Sequence, residues 1–555
     1  MRKLSEIVSF FIPKKSKKIK ESEKNNGSST ARGRRDDKSI AIRRAIGELE
    51  KREVRSYDRE LLCGRRIDYE RLLNAEQKRA LTALSGKYLV IAGAGSGKTR
   101  TVVYRTALLL ETGVDPGSIL MITFTRKAAA EMRERLAELC GSACGDVAIS
   151  TFHAFCLRHI MTYKSWFGYE NLQIFEDKGV EDLLTKLAAV HHVKRVRGLP
   201  FPQARRLREL FSREALKGIP LEEQLTERER PYADEILAVR RAFGAWKKEK
   251  GCLEFDDLLR VFTEGLARNH KFRELIRERY RHVVVDEYQD SNADQRKLLR
   301  ELVGESGNLM VVGDDWQSIY GFRGADFTNI LRFSEDFPDA RLIRLATNYR
   351  STDEIISFCN RIAARFALGY RKVIRGTGKT HKKPQILSFA TKEQEAAYIT
   401  EKIRELKAQG VSPGEIAILY RNRYAALHIR KALKEAGLPF AVREAGEDAS
   451  LPDKAETAEK PVGETRERVA LFTVHSSKGL EWDYVFLPVL LDGVFPASRD
   501  AEGLEEEKRL YYVACSRARK MLWLTRPDYF YEKTGFFDKP SRFLDYGGFR
   551  GHDGS

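Results

Sequence analysis

The chain contains no run of 18 or more apolar residues, so the sequence offers no membrane-crossing helix. A short apolar stretch at residues 7–12 meets Pro13 and a lysine cluster without a small-residue cleavage site, so a secretion signal is not expected. Cysteine is scarce. Seven in 555 residues, odd in number and unframed, exclude a disulfide scaffold and suit a reducing cytoplasm. Cys140 and Cys144 lie near His153 and Cys156, but not at finger or ribbon spacing, so structural zinc is not expected. Acidic charge is also short, at 80 Asp+Glu against 99 Lys+Arg. The resulting +19 favours an anionic partner, most simply nucleic acid.

What is present fits a globular body, with 42% hydrophobic and 32% charged residues. The length allows about three to five domain-sized units. Residues 1–56 stand apart: 17 Lys+Arg and 8 Asp+Glu give them +9 of the +19. Residues 14–37 are too polar to offset their ordering entropy, so a largely disordered tail is expected. A solubilising tail and a nonspecific nucleic-acid arm are equally open readings. Residues 40–55 carry a weakly apolar helical pattern.

From residue 88 onward the pattern is α/β. Short apolar runs at 88–92, 120–124, 282–286, 309–313 and 341–345 read as buried parallel strands, each followed by a helix-like segment. The rhythm returns at 385–389, 415–420, 469–474, 484–488 and 521–525. Thr391 and Gln394 read as a capping box for a helix with Ala396, Ile399, Ile403 and Leu406 on its apolar face and Gly410 at its end. Two doubly wound domains in tandem follow. Residues 155–280 interrupt the first with a basic helical insertion. Residues 441–468 hold no aromatic and only Val442, Leu451 and Val462 as aliphatics, which reads as a loop.

Residues 92–99 read AGAGSGKT, directly after a strand and before a helix. Glycines at these positions let backbone N–H groups wrap a phosphate chain. Lys98 is placed to reach the β- and γ-phosphates, and Thr99 to hold Mg²⁺. Ala92 stands where the strict pattern has Gly. An ordinary glycine-rich turn is the competing reading. A phosphate site also needs an acid at the tip of a neighbouring strand, and HVVVDEYQD supplies Asp286 and Glu287. Asp286 suits the metal. Glu287 suits general-base work on an attacking water, which makes the site hydrolytic.

The order of signatures resembles superfamily 1 helicases of the UvrD/Rep type. LNAEQ at 73–77 resembles the family's adenine-reading motif, with Gln77; AGAGSGKT resembles motif I and ITFTRKAAAEMRERL at 122–136 motif Ia. STFHAF at 150–155, DEYQD, VGDDWQSIYGFRGAD at 312–326 and NYRS at 348–351 are similar to motifs Ib, II, III and IV. TVHSSKGLEWDYVFL at 473–487 and EEEKRLYYVACSRAR at 505–519 are similar to motifs V and VI. The resemblance implies ATP and Mg²⁺ as cofactors and single-stranded or tailed DNA as partner. It implies 3′→5′ translocation, a role in repair or recombination, a nucleoid-associated cytoplasmic location and a monomer in isolation.

It also implies roles. The catalytic set is Lys98, Asp286, Glu287, Gln317, Arg350 and Arg517, with Thr99 and Asp286 on the metal. Gln77, Ala92, Gly93, Ala94, Gly95, Ser96, Gly97, Lys98, Thr99, Arg100, Tyr349 and Glu481 line the nucleotide. Tyr349 stacks on adenine, Glu481 meets the ribose, and Arg350 and Arg517 meet the γ-phosphate sensed by Gln317. The strand track is Phe124, Thr125, Thr151, His153, Tyr320, Phe322, Arg323, His475 and Trp482. Core packing is the alternative for Phe124 and Trp482. The DDWQ spelling and the small loop at 441–468 resemble helicase IV-type members, in which the mobile 2B subdomain is missing.

The expected organisation is then a basic tail at 1–56 and a first RecA-like domain at 57–154 and 265–345. A helical insertion occupies 155–264. A second RecA-like domain covers 346–440 and 469–540, with a vestigial loop at 441–468 and a flexible end at 541–555. Two other functions remain: a translocase that displaces proteins with little unwinding, and a P-loop ATPase that does not act on DNA. A helicase–nuclease is disfavoured, since little chain follows Thr525.

Overall fold

The structure, a computed structural model, describes residues 29–192, 199–321, 326–443, 467–498, 500–532 and 535–547. The expectations for residues 1–28, 444–466 and 548–555 lie outside these. In chain order the strands are β1 Lys87–Ala92, β2 Ile119–Thr123, β3 Ala148–Thr151, β4 Gln173–Ile174, β5 Cys252–Leu253, β6 His282–Val285, β7 Asn308–Gly313 and β8 Arg341–Leu345. They continue with β9 Gln385–Phe389, β10 Ile416–Tyr420, β11 Phe440–Arg443, β12 Val469–Thr473, β13 Trp482–Leu487, β14 Ala518–Pro527, β15 Phe530–Glu532 and β16 Gly535–Phe537.

Two six-stranded sheets carry the fold. Their orders are β3-β2-β6-β7-β1-β8 and β11-β12-β10-β13-β14-β9. Every pairing within them is parallel. Parallel strands covered by helices on both faces read as unbroken apolar runs, which is why Val283 to Val285 and Leu309 to Val312 are all buried. The architecture is two RecA-like α/β units in tandem.

All ten strands expected from the sequence are present, β8 and β9 with the expected ends and the others with shifted ones; β14 starts at Ala518 instead of 521. The edge strands β3 and β11 escaped the sequence reading. β3 has only four residues, and β11 is half-buried throughout, so neither shows a continuous apolar run. The helix Lys392–Ala408 buries Ala396, Ile399, Ile403 and Leu406, and Gly410 follows it at φ +85°. Its start corrects the capping box. Thr391 Oγ1 accepts from Gln394 N at 3.2 Å, but Gln394 Oε1 accepts from Ala390 N, one residue before the cap.

Among the described residues between β3 and β6 lie six helices of ten residues or more, the longest being Ala233–Lys250. The boundaries at 154/155 and 264/265 fall inside the helices Phe152–Thr162 and Asp257–Arg268. Those helices share one aromatic core, in which Phe155 meets Phe262 and Tyr280 edge-on.

The N-terminal expectation also needs correction. Residues Ser29–Glu50 form a helix, and Ala45, Ile46 and Leu49 on its last turns are buried. Arg344 of β8 pairs with Glu50 at 2.7 Å and with Glu53. Val54 N donates to Leu342 O at 2.8 Å, so the chain lies along the edge of β8. Residues 45–54 therefore belong to the folded body. Full burial of Ile46 and Leu49 contributes about 3–6 kcal/mol in total. A chain lacking residues 1–39 should keep the parent's thermal midpoint. One lacking residues 1–56 should melt several degrees lower, as calorimetry would read. Equal midpoints for the two would refute the docking of residues 45–54.

Candidate nucleotide site and strand-facing surface

β1 delivers the chain at Ala92 to a loop that ends where the helix Lys98–Glu111 begins. Gly95 and Gly97 sit at φ +67° and +78°, where side-chain-bearing residues are strained. A Cβ on Gly95 would also press on Arg350 and Asn348. The loop carbonyls are taken from outside. Ala94 O accepts from Asn348 Nδ2 at 2.8 Å, Gly95 O from Tyr349 N at 2.9 Å and Ser96 O from Gln77 Nε2 at 3.2 Å. With carbonyls engaged outward, the loop's concave side is left to N–H groups at a helix N-terminus, the arrangement that receives phosphate. Ser96 Oγ closes the turn on Gly93 O at 2.9 Å. Arg100 donates to Leu72 O at 3.1 Å and covers the Tyr104 ring.

Asp286 and Glu287 follow β6 directly. Thr99 Oγ1 donates to Asp286 Oδ2 at 2.9 Å. Lys98 Nζ stands 3.6 Å from Glu287 Oε1, too long for a hydrogen bond. Glu287 has φ +54°, a conformation disfavoured for a non-glycine residue and typical of functional positions. Gln289 Nε2 donates to Glu287, while its Oε1 accepts from Asp314 N at 2.9 Å. Burial, with the Glu287 charge beside it, pushes the Asp286 carboxyl above the usual carboxylate range against the pull of Lys98 and Thr99. Burial opposes the charge on Glu287 too, but Lys98, Lys478 and Arg517 outweigh it and hold that carboxyl below the usual range. Thr99 and Asp286 offer paired hard oxygens beside the N–H-lined loop. These residues fit a nucleoside triphosphate with its Mg²⁺.

The opposite wall comes from the second unit. Arg517 follows the helix Ala501–Cys515 and is 1% exposed. It donates to Val513 O at 3.0 Å, Leu480 O at 3.2 Å and Gln317 Oε1 at 2.9 Å. Burial and the neighbouring Arg350 lower its pKa to about 9, which leaves it charged at neutral pH. Arg350 pairs with Glu481 and donates to Ser516 O at 3.3 Å. Gln317 Nε2 donates to Asp314 Oδ2 at 2.6 Å. Tyr349 is 40% exposed, and its hydroxyl accepts from Asn74 Nδ2 at 2.6 Å. Gln77 caps its own helix, as Gln77 Oε1 accepts from Asn74 N at 3.1 Å. The structure thus brings Lys98, Thr99, Asp286 and Glu287 together on one wall. It places Arg350 and Arg517 on the other, with Gln317 of the first unit joined to Arg517 across the cleft.

The residues expected on the strand track divide. Thr125 and Thr151 cap the helices Arg126–Cys140 and Phe152–Thr162. Phe124 packs edge-on against Phe152 and stays half-buried. His153 stacks on the exposed Phe255 at 4.2 Å between centroids, and burial lowers its pKa to about 4. Tyr320 lies under the Lys478 ammonium, 4.8 Å from its ring centroid. His475 opens the short helix His475–Ser477 and is half-buried. Phe322 and Arg323 lie outside the described residues. Trp482 takes the core-packing alternative instead of the strand track: the residue is 6% exposed and its ring meets Phe472 edge-on in the core of the second sheet.

Several pairings that hold the site together carried no signal in the sequence. Lys478 Nζ donates to Asp290 Oδ1 at 2.7 Å and to Gln317 O at 2.8 Å, joining the two units. Glu76 Oε2 accepts from Ala346 N at 2.7 Å, and its other oxygen accepts from Arg375 at 2.7 Å. Lys478 and Asp290 lay inside recognisable motifs, and only their pairing was hidden. Lys372, which donates to Asp314 and Asp315, lay in none.

Comparison with known proteins agrees with this geometry. The UvrD/REP helicase N-terminal domain matches residues 73–338. The UvrD-like helicase C-terminal domain matches residues 343–447 and 447–528. The ATP-dependent DNA helicase UvrD2 of Mycobacterium tuberculosis is 32% identical over 557 aligned residues, covering 82% of this chain and 78% of the relative. UvrD1 of the same organism is 35% identical over 392 residues, 67% of this chain and 49% of its own length. PcrA of Staphylococcus epidermidis is 32% identical over 375 residues, 66% of this chain and 50% of its own. Nucleotide loop, acidic strand tip and paired arginines across the cleft, matched in order along nearly the whole folded body, make the chain a member of the UvrD/Rep helicase family.

Proposed function

We propose that the protein is an ATP-dependent DNA helicase that moves 3′→5′ along single-stranded DNA in repair or recombination. The observation that carries this reading is the connected pair of walls. Lys98, Thr99, Asp286 and Glu287 stand on one with Gln317 of the same unit, and Arg350 and Arg517 on the other, joined through the Gln317–Arg517 bond.

In this reading the loop N–H groups and Lys98 hold the ATP phosphates. Gln77 and Tyr349 take the adenine, and Glu481 the ribose. Thr99 and Asp286 hold Mg²⁺, which when bound neutralises charge on the phosphate oxygens. Glu287, kept ionised by the cations around it, takes the proton from the attacking water. Arg350 and Arg517 stabilise charge developing on the γ-phosphoryl group, and Gln317 reports its presence. Because the arginines follow the second unit, bound ATP favours closure and hydrolysis releases it. A domain that opens and closes while each half holds a strand can step along it. Phe124, Thr125, Thr151, His153, Tyr320, Phe322, Arg323 and His475 form that track, its aromatic faces stacking on bases without regard to sequence.

One observation favours a second reading, a translocase that displaces proteins with little unwinding. The C-terminal family match breaks at residue 447, inside the segment 441–468 where a 2B subdomain is expected to be missing. Strand displacement on duplexes with a 3′ or a 5′ tail separates these readings. Unwinding of the 3′-tailed duplex alone supports the first. Displacement of bound protein without unwinding supports the second, and unwinding from the 5′ tail alone contradicts the polarity.

A further inference from the structure

Lys372 lies between the helix Asp353–Ala363 and β9, in none of the recognisable motifs. That helix contributes Ile355, Phe358, Cys359 and Ile362 to the second unit's core. Yet the Lys372 ammonium donates to three acceptors of the first: Asp314 Oδ1 at 2.5 Å, Asp315 Oδ1 at 2.6 Å and Ala92 O at 3.2 Å. The lysine side chain and both carboxylates are at most 1% exposed. Trp316 covers the ammonium, its ring centroid 4.3 Å away.

The segment around Lys372 is packed against the same groups. Tyr370 N donates to Asp315 Oδ2 at 2.9 Å. A Cβ on Gly93 would overlap the Ile374 side chain, and one on Gly369 would press on the Asp315 carboxylate. Burial alone would drive the ammonium toward neutrality, but Asp314 and Asp315 overcome it and hold its pKa above the ordinary lysine value. Asp314 does more than receive Lys372. Its other oxygen takes the Gln317 amide at 2.6 Å, and Gln317 Oε1 meets Arg517 at 2.9 Å. A chain of contacts therefore runs from the first residue of the phosphate loop through Lys372, Asp314 and Gln317 to Arg517.

We propose that Lys372 is a positioning residue for ATP hydrolysis: reaching over from the second unit, it fixes Asp314, and through it Gln317, relative to the phosphate loop. The inference rests on the reading of this site as an ATPase centre. Removing the ammonium alone leaves two buried carboxylates unpaired, which is costly enough to threaten folding. The test therefore uses Lys372→Met beside the double variant Lys372→Met/Asp315→Asn, which restores the parent's net charge.

Steady-state ATP turnover at saturating single-stranded DNA is measured first on the parent; a parent without turnover sinks the ATPase reading itself. With an active parent, the folded double variant should bind ATP within about threefold of the parent while kcat falls at least about 30-fold, a loss seen only in the transition state. Urea unfolding establishes that each variant is folded. A folded double variant with kcat within about threefold of the parent, or with only KM raised, would overturn the positioning role. Failure of both variants to fold would overturn it too, since the cluster would then be a stability element.

Discussion

Lys98→Ala and Glu287→Gln are each expected to lower DNA-stimulated ATP turnover by at least about 100-fold, the loss typical of removing one preorganised group from a reacting centre. They should fail in different ways. Lys98 is the loop's own cation, held 3.6 Å from Glu287 and free to exchange that partner for phosphate. Its loss should weaken nucleotide binding as well as turnover. Glu287→Gln keeps the shape and the contact with Gln289 but removes the base, so nucleotide affinity should stay within about threefold while turnover is lost. Equilibrium binding of a fluorescent ATP analogue, read beside turnover, separates the two. Near-normal turnover by Glu287→Gln would remove Glu287 from the role of base.

The second large effect is expected at Arg517. Its guanidinium is spread over Val513 O, Leu480 O and Gln317 Oε1, three directions that an ammonium cannot serve together. Arg517→Lys keeps the charge and loses the fork. Turnover should fall at least about 100-fold. Affinity for single-stranded DNA without nucleotide should remain within about threefold, because none of these contacts belongs to the strand track. Arg350→Ala should behave alike, with the added release of Glu481. Loss of nucleotide-free DNA binding with normal turnover at saturating DNA would place either arginine on the strand instead.

How much of this was legible in the sequence depended on distance along the chain. The phosphate loop and the acidic strand tip are local words, spelled out within a few residues of one strand end. Residues 40–55 were legible only as a weakly apolar helical pattern. Their docking was not, because Arg344, which takes Glu50 and Glu53, lies 294 and 291 residues away. Lys372 is hidden for the same reason: its acceptors lie 57, 58 and 280 residues distant. Trp482 misled for a different reason. It stands in a motif beside residues expected to face the strand, but it opens β13, where the register faces it inward onto Phe472. Motif membership gives a residue's neighbourhood, and only the strand's register gives the face it presents.

The central claim is that DNA binding and ATP hydrolysis are one coupled activity of the two units. Its most direct measurement is steady-state ATP turnover by the full chain with Mg²⁺, titrated with single-stranded DNA at two salt concentrations. The account predicts at least a roughly tenfold rise in turnover, a typical size for such coupling. The DNA needed for half the rise should increase with salt, as released counterions require. Turnover that stays flat across the titration, at either salt, would contradict the account.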